Sequence, residues 1–142
     1  MTKLLETEKF FMNERAAIEW LQKSWHNLSS AEILLQARHY GDVIAVELHY
    51  GVEKALKALL AYQNQKIPKT HDLIQLCALS GFSCDNIEVL EAITDYHIEA
   101  AYPAFEKIEF DHDELSEQLL YAFELFDEIC NFLHIESTKV KQ

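Results

Sequence analysis

Three lysines in the middle of the chain could bind an anion. Lys54 and Lys57 are spaced to lie on one side of a helix, and Lys69 follows after a short loop. Thr70 comes next, and its hydroxyl could join free N–H groups at the start of a following helix in holding a phosphate. A structural interpretation competes, because Glu53 and Lys57 have the spacing of a helix-stabilising ion pair, worth roughly 0.2–0.5 kcal/mol. The sequence leaves both interpretations open.

Other patterns with known chemistry are missing from the chain. Seven histidines are present, but none lies in a His-Glu-x-x-His or Cys/His zinc pattern. Gly-x-Ser-x-Gly and glycine-rich phosphate loops are also absent. Four acidic residues recur at helical spacing, which favours a solvated helix face over an acid–base pair: Glu88, Glu91, Asp95 and Glu99. We therefore predict no catalytic residue, no metal site and no cofactor.

Composition points to one soluble domain. A chain of 142 residues can bury a single core, so we expect one domain over residues 1–142. Only three glycines and two prolines argue against a β-sandwich or barrel. No apolar run could span a bilayer, and charges occupy the place of a signal-peptide core, so we expect a cytoplasmic protein. Cys77, Cys84 and Cys130 have irregular spacing, which favours reduced thiols.

Apolar residues recur at steps of three and four, which predicts an all-α fold. The predicted helices cover residues 13–39, 42–64, 70–79, 85–102 and 113–135. Gly41 is placed to end the first helix and Asp42 to cap the second, so these two helices should be antiparallel neighbours. Gly51 inside the second helix indicates close approach of another helix, since glycine there costs about 1 kcal/mol. Phe10 and Phe11 are expected to pack against the body.

Polar residues predict where the remaining helices begin and end. Thr70 is placed to cap the third helix, and Asp85 with Glu88 resembles a capping box for the fourth. Residues 104–112 should form a loop or irregular turn. The polar tail from about residue 136 is expected to be frayed.

Charge is unevenly distributed, with a net value of −12. Acidic and basic residues balance up to Cys84, whereas residues 85–135 hold 14 acidic residues and one basic residue. Such an acidic half disfavours strong nonspecific nucleic-acid binding. It is either a solvated surface or a docking surface for a basic partner. Leu120, Phe123 and Phe132 widen the apolar face of the last long helix, which could close against another subunit.

Several segments together resemble the HEPN (higher eukaryotes and prokaryotes nucleotide-binding) domain family. The matching residues run nearly end to end and are, in chain order, Ser30-Ala-Glu-Ile-Leu-Leu35, Tyr40-Gly-Asp42, Val52-Glu-Lys-Ala-Leu-Lys-Ala-Leu-Leu60, Ile67-Pro-Lys-Thr-His-Asp-Leu73, Tyr96 and Tyr102-Pro103. The run from Glu53 to Leu60 alone could belong to any good helix. Followed at this distance by Pro-Lys-Thr-His-Asp-Leu, it is fairly specific.

The resemblance implies a four-to-five-helix up-and-down bundle, often a homodimer. It implies that the chain could be paired with a small nucleotidyltransferase in a toxin–antitoxin-like system. Toxin members of the family are metal-independent RNases that use an Arg and a His four to six residues apart. The arginines here, Arg15 and Arg38, have no His at that interval, and Ala101 stands where many relatives carry Arg before the Tyr-Pro pair.

This departure favours a noncatalytic HEPN module that binds a nucleotide or a partner protein. The candidate anion-binding residues are Lys54, Lys57, Lys69, Thr70, His71 and Tyr102. One alternative is a diverged RNase or toxin that uses His71, His97 and Tyr102 around one cleft. Another is a structural or regulatory dimeric subunit that holds a basic partner, such as a nucleotidyltransferase, with the acidic face of its fourth and fifth helices.

Overall fold

The computed structural model describes residues 2–103 and 108–142, with side chains described from residue 13 onward. Within these ranges six helices follow one another: α1 Thr2–Gln36, α2 Gly41–Tyr62, α3 Leu73–Ser80, α4 Ile87–Glu99, α5 His112–Phe132 and α6 Ser137–Val140. The predicted packing of Phe10 and Phe11, and residues 104–107 of the predicted loop, lie outside the described residues. The all-α bundle predicted from the sequence is confirmed, and no strand occurs in the described ranges.

Helices α1 and α2 form an antiparallel pair, as predicted. Their contacts run in opposite chain directions, because Trp20 meets Lys57, Ser24 meets Gly51 and Asn27 meets Glu47. Gly51 lies directly under α1: a Cβ atom there would sit 2.6 Å from Leu28 Cγ. The Ser24 hydroxyl donates to the Gly51 carbonyl at 2.6 Å. The glycine therefore allows the helix crossing that its position predicted.

The core consists mainly of aliphatic side chains from α1 to α5. Its largest fully buried members are Leu21, Leu28, Ile44, Leu48, Leu56, Leu59, Leu60, Leu73, Leu76, Leu90, Ile93 and Phe126. Trp25 packs at the edge of this core, with its ring centroid 5.6 Å from those of Phe123 and Phe126. Burial of these side chains is the main stabilising contribution to the bundle.

The α1–α2 corner differs from the prediction. Helix α1 ends at Gln36 and Arg38 takes a left-handed conformation, with φ 51°, so Gly41 does not end the helix. Gly41 begins α2 and lies against Phe110, where a Cβ would be 2.7 Å from the Phe110 Cβ. Asp42 does not cap α2, since its carboxylate accepts only from the adjacent Val43 N–H, at 2.9 Å.

Two other predicted caps are also displaced. Asp72, not Thr70, caps α3, accepting from the N–H groups of Ile74 and Gln75. Asn86, not Asp85, caps α4. Both errors are of one or two residues, because neighbouring polar residues compete for the same backbone N–H groups. Gly81, with φ 71°, ends α3 as predicted.

The C-terminal tail is not frayed as predicted. Helix α6 buries Val140 completely, and Gln142 offers its carbonyl to His26 at 2.7 Å. Gln22 donates to the Lys139 carbonyl at 3.2 Å. The buried Val140 and these two hydrogen bonds together fix the tail on α1.

The prediction of reduced cysteines is wrong for two of the three. Cys77 at the end of α3 and Cys84 in the following loop form a disulfide. Cys130 is a free, buried thiol on α5, and burial raises its pKa to about 11. Spacing alone did not indicate the pair, since proximity arises from the turn at Gly81.

None of the helices in the described ranges combines the length and apolar character needed to cross a membrane.

Candidate functional site

A buried carboxylate lies at the centre of the candidate site. Glu53 is on the inner side of α2, where the residue is 4% exposed. Its Oε1 accepts from His71 Nδ1 at 2.6 Å, and its Oε2 accepts from Lys57 Nζ at 3.2 Å. His49, one turn earlier on α2, places Nε2 3.2 Å from the same Oε1. One carboxylate therefore contacts three basic side chains.

These basic neighbours keep Glu53 ionised. Burial by itself would raise the pKa of this carboxyl. The hydrogen bonds from His49 and His71, and the charge and hydrogen bond of Lys57, outweigh burial and lower the pKa to about 2. A negative charge inside the bundle is thus compensated by direct partners, as a buried ion requires.

His49 is held from its other side by the backbone of α4. Its Nδ1 lies 2.8 Å from the Ile93 carbonyl oxygen. Since a carbonyl oxygen only accepts, Nδ1 must carry the hydrogen and donate it. The ring is completely buried, so its orientation is fixed between α2 and α4. Its Nε2 is the atom directed at Glu53.

A third imidazole, that of His97, completes the site. The His97 ring centroid is 5.3 Å from that of His49 and 4.9 Å from that of His71. His97 Nδ1 donates to the Thr94 carbonyl at 2.7 Å, which leaves Nε2 as its remaining ring nitrogen for a ligand. The His71 side chain is 48% exposed, so it forms the solvent-facing edge of this cluster. We call His49, Glu53, Lys57, His71 and His97 the histidine–carboxylate cluster.

The start of α3 positions His71 against α2. Leu73 N–H donates to Thr94 Oγ1 at 3.2 Å, and the same hydroxyl donates to the Leu90 carbonyl at 2.9 Å. Asp72, the residue immediately before α3, caps that helix. The loop that precedes Asp72 brings His71 over Glu53. The cluster therefore depends on contacts among α2, α3 and α4, which are distant in sequence.

The six predicted anion-binding residues are not all in one place. Lys57 and His71 meet at Glu53. Lys54 turns to α1, where Nζ donates to Asn27 Oδ1 at 2.8 Å and lies 5.6 Å from the centroid of the Tyr50 ring. The Glu53–Lys57 ion pair, the structural alternative for these lysines, is present.

The other three predicted residues lie on the surface or at its edge. Lys69 is exposed and Tyr102 is 66% exposed. Thr70 Oγ1 donates to Gln75 Oε1 at 3.0 Å and accepts from Asp72 N–H. The N–H groups expected to be free at the start of α3 already have acceptors in Asp72 and Thr94. Anion binding by the six residues stays a prediction.

Sequence reasoning missed the role of His49 and the central place of Glu53. A signal was available, because His49, Glu53 and Lys57 follow at four-residue steps on one helix face. Their position beside the apolar residues Leu48, Val52 and Leu56 also indicated burial. The sequence could not show that His71 and Ile93 contact this helix face, because the tertiary fold alone brings them there.

The cluster includes a group of potential metal ligands. In the part of the chain that the structure describes, His49, Glu53 and His71 form such a group, and their ligand atoms lie within 4.8 Å of one another. The predicted absence of a metal site rested on local sequence patterns. Such patterns cannot detect ligands from separate elements, here α2 and the loop before α3.

A second feature is an acidic groove between α4 and α5. It has a volume of about 270 Å³ and is lined by Ala92, Asp95, Tyr96, Glu99, Ile108, Glu109, Phe110 and Glu114. Tyr96 donates from its floor to Gln118 Oε1 at 2.8 Å, and burial raises its pKa. Four carboxylates around an apolar base give this groove the chemistry to hold a cationic side chain.

Comparison with protein families gives a match to the HEPN domain over residues 17–134. A comparison with curated proteins gives no match. Two solved structures are similar in fold. The crystal structure of TT1696 from Thermus thermophilus has a TM-score of 0.70 at 22% identity, covering 81% of this chain and 96% of that one. ST0689, described as an archaeal HEPN homologue, has a TM-score of 0.61 at 15% identity, covering 82% and 97%.

Proposed function

Because this chain belongs to the HEPN family, we propose that it is a noncatalytic binding module that holds the phosphate of a nucleotide beside His71. The observation that supports the proposal is the position of His71 at the exposed edge of the histidine–carboxylate cluster. Its Nδ1 is fixed by Glu53, so its Nε2 is the ring nitrogen that can meet a ligand. Lys69 precedes it on the same loop and supplies a cation, whereas the Thr70 hydroxyl between them already donates to Gln75.

The proposal that the module is noncatalytic rests on the absence of the Arg–His pair that RNA cleavage would use. Cleavage of RNA needs a group that stabilises the phosphate and a general acid or base placed beside it. Neither Arg15 nor Arg38 has a histidine at the interval that the resemblance implies. His71 and His97 do lie together, so the RNase alternative has a concrete test.

The test is titration with ATP, GTP and their monophosphates, followed by NMR. We expect the signals of His71 and Lys69 to shift with a saturable dependence on nucleotide. A Lys69→Gln variant should weaken binding, whereas Lys23→Gln, which removes an exposed lysine on α1, should not. No shift at these residues at millimolar nucleotide would refute nucleotide binding here.

The same protein incubated with total RNA tests the absence of catalysis. We expect the RNA to stay intact. Cleavage that is lost in His97→Ala and retained in His134→Ala would instead support a diverged RNase.

A second candidate function is protein docking at the acidic groove. The proposal is that Asp95, Glu99, Glu109 and Glu114 receive basic side chains of a partner such as a small nucleotidyltransferase. Recovery of such a partner at moderate salt, lost in an Asp95→Asn/Glu114→Gln variant, is the expected result. Recovery of the homodimer alone would count against this function.

The homodimer itself is also a proposal. Leu120 is 61% exposed and Phe132 is 56% exposed on α5, whereas Phe123 packs on Trp25. An exposed leucine and phenylalanine on the last long helix suit a subunit contact. Light scattering should give twice the chain mass, and Leu120→Glu should lower it to one chain.

A further inference from the structure

The geometry points to a binding site for one divalent transition-metal ion, such as Zn²⁺, formed by His49, Glu53 and His71. This site is independent of nucleotide binding, since it uses the buried side of His71 and requires no phosphate. Its ligands come from α2 and from the loop before α3, and the centroid of the His97 ring lies 5.3 Å from that of His49 and 4.9 Å from that of His71.

The first argument is the arrangement of hydrogens around His49. Its Nδ1 donates to the Ile93 carbonyl, so in the neutral ring Nε2 carries a lone pair. That lone pair faces Glu53 Oε1 at 3.2 Å. Two acceptors at this distance need a cation between them. A proton or a metal ion can occupy this position, and a neutral Nε2 with an ionised carboxylate is the state that a metal requires.

The second argument is the separation of the ligand atoms. Metal–ligand bonds of about 2.1 Å in a tetrahedral site place ligand atoms about 3.4 Å apart. His49 Nε2 and Glu53 Oε1, at 3.2 Å, are already near this separation. His71 Nδ1, at 2.6 Å from Glu53 Oε1, must lose the hydrogen it donates there, with Nε2 as the protonated nitrogen, and move from that oxygen by less than an ångström. Its half-exposed side chain leaves room for that movement. All three ligand atoms already lie within 4.8 Å of one another.

The third argument is that outer contacts already orient the ligands. The Ile93 carbonyl fixes the His49 ring, which is the usual arrangement for a metal-bound histidine. Lys57 holds Glu53 Oε2, so Oε1 alone is presented to an ion. Water can supply the fourth ligand, since His97 is not in the group whose ligand atoms lie within 4.8 Å of one another.

The ligand set decides the class of ion. Two imidazoles and one carboxylate suit Zn²⁺, Co²⁺ or Ni²⁺, whereas Mg²⁺ and Ca²⁺ prefer oxygen ligands throughout. A set of two histidines and a glutamate with an open fourth position is also a known arrangement for zinc.

The test is titration of the tag-free full chain with CoCl₂ in the absence of nucleotide. We expect one Co²⁺ per chain, with the intense visible absorption of a four-coordinate site, and its displacement by one equivalent of ZnCl₂. His71→Gln should weaken Co²⁺ binding by roughly tenfold or more. His134→Gln removes an exposed histidine outside the cluster and should leave binding unchanged.

Two results would overturn the proposal. One is absence of saturable Co²⁺ binding to the folded wild-type chain. The other is equal binding by wild type and His71→Gln, which would place the ion elsewhere. Circular dichroism checks that each variant is folded, and because His71 is half exposed, its substitution tests the site even if the buried His49→Gln variant does not fold.

Discussion

Carboxylates are buried and paired in one region of the molecule and exposed to solvent in another. Inside the bundle, a single Glu53 contacts His49, Lys57 and His71. On the outer surface of α4 and α5, the acidic residues are exposed, and in the described ranges only Asp127 has an ion pair, with Lys141 at 3.6 Å. The number of acidic residues therefore says little about a site. What matters is whether the fold removes a carboxylate from water.

The largest expected effect is on stability when Glu53 is removed. Glu53→Ala leaves the Lys57 ammonium buried without its partner and also breaks the hydrogen bond from His71. Breaking a buried ion pair in this way should lower the free energy of unfolding by about 3–5 kcal/mol. Urea denaturation measures this change.

The matched control is Glu91→Ala on the exposed face of α4, which should change the free energy of unfolding by less than about 0.5 kcal/mol. Equal effects at both positions would remove the distinction between the two regions.

The free energy of unfolding should depend on pH through the ionisation of Glu53. Its pKa falls from 4.5 to about 2 on folding, so its stabilisation is present above pH 4.5 and is lost as the pH falls toward 2. At one pKa unit per 1.36 kcal/mol, the shift corresponds to about 3 kcal/mol. Urea denaturation across this pH range should show a steeper loss for the wild type than for Glu53→Gln.

Other carboxylates also titrate in that range, so Glu91→Gln serves as the reference. Its pH profile should follow that of the wild type. A Glu53→Gln profile that is indistinguishable from both would contradict the lowered pKa.

A smaller effect is expected where α4 meets α5 beneath the acidic surface. Tyr96 donates to Gln118 Oε1 at 2.8 Å, and both residues are buried. Tyr96→Phe should therefore lower the free energy of unfolding by about 1 kcal/mol, because it leaves the Gln118 oxygen without this donor. Thermal or urea unfolding gives the value, and Tyr102→Phe, at an exposed residue, should give no change.

The smallest effect belongs to the surface ion pair. Asp127→Asn should alter the free energy of unfolding by at most about 0.5 kcal/mol, because both side chains remain hydrated. The change should shrink further as salt is added, since ions screen exposed charges. A loss comparable to that of Glu53→Ala would show that this surface is not simply solvated.

The sequence was sufficient for the architecture and insufficient for the site. Helical periodicity predicted the five longer helices of the described ranges, although α1 begins at Thr2 and not near residue 13. The roles of Gly51 and Gly81 were predicted correctly, because a helix crossing and a left-handed cap each require a glycine at that position. Caps at Thr70 and Asp85 were displaced because adjacent polar residues can satisfy the same groups.

The histidine–carboxylate cluster could not be assembled from local spacing. His49, Glu53 and Lys57 share one helix face, which the sequence does reveal. The partners that give them a function, His71, His97 and the Ile93 carbonyl, arrive from other elements. The Cys77–Cys84 pair was missed for the same reason, since closure of the turn between them decides their distance.

The crossing at Gly51 also has a consequence for how this chain can vary. The Leu28 side chain occupies the space that any Cβ at position 51 would need, so these two positions share one volume. A larger residue at 51 becomes acceptable only when the residue at 28 becomes smaller. Mutational drift in α1 and α2 is thereby coupled, and a change in either helix restricts which later changes the other can accept.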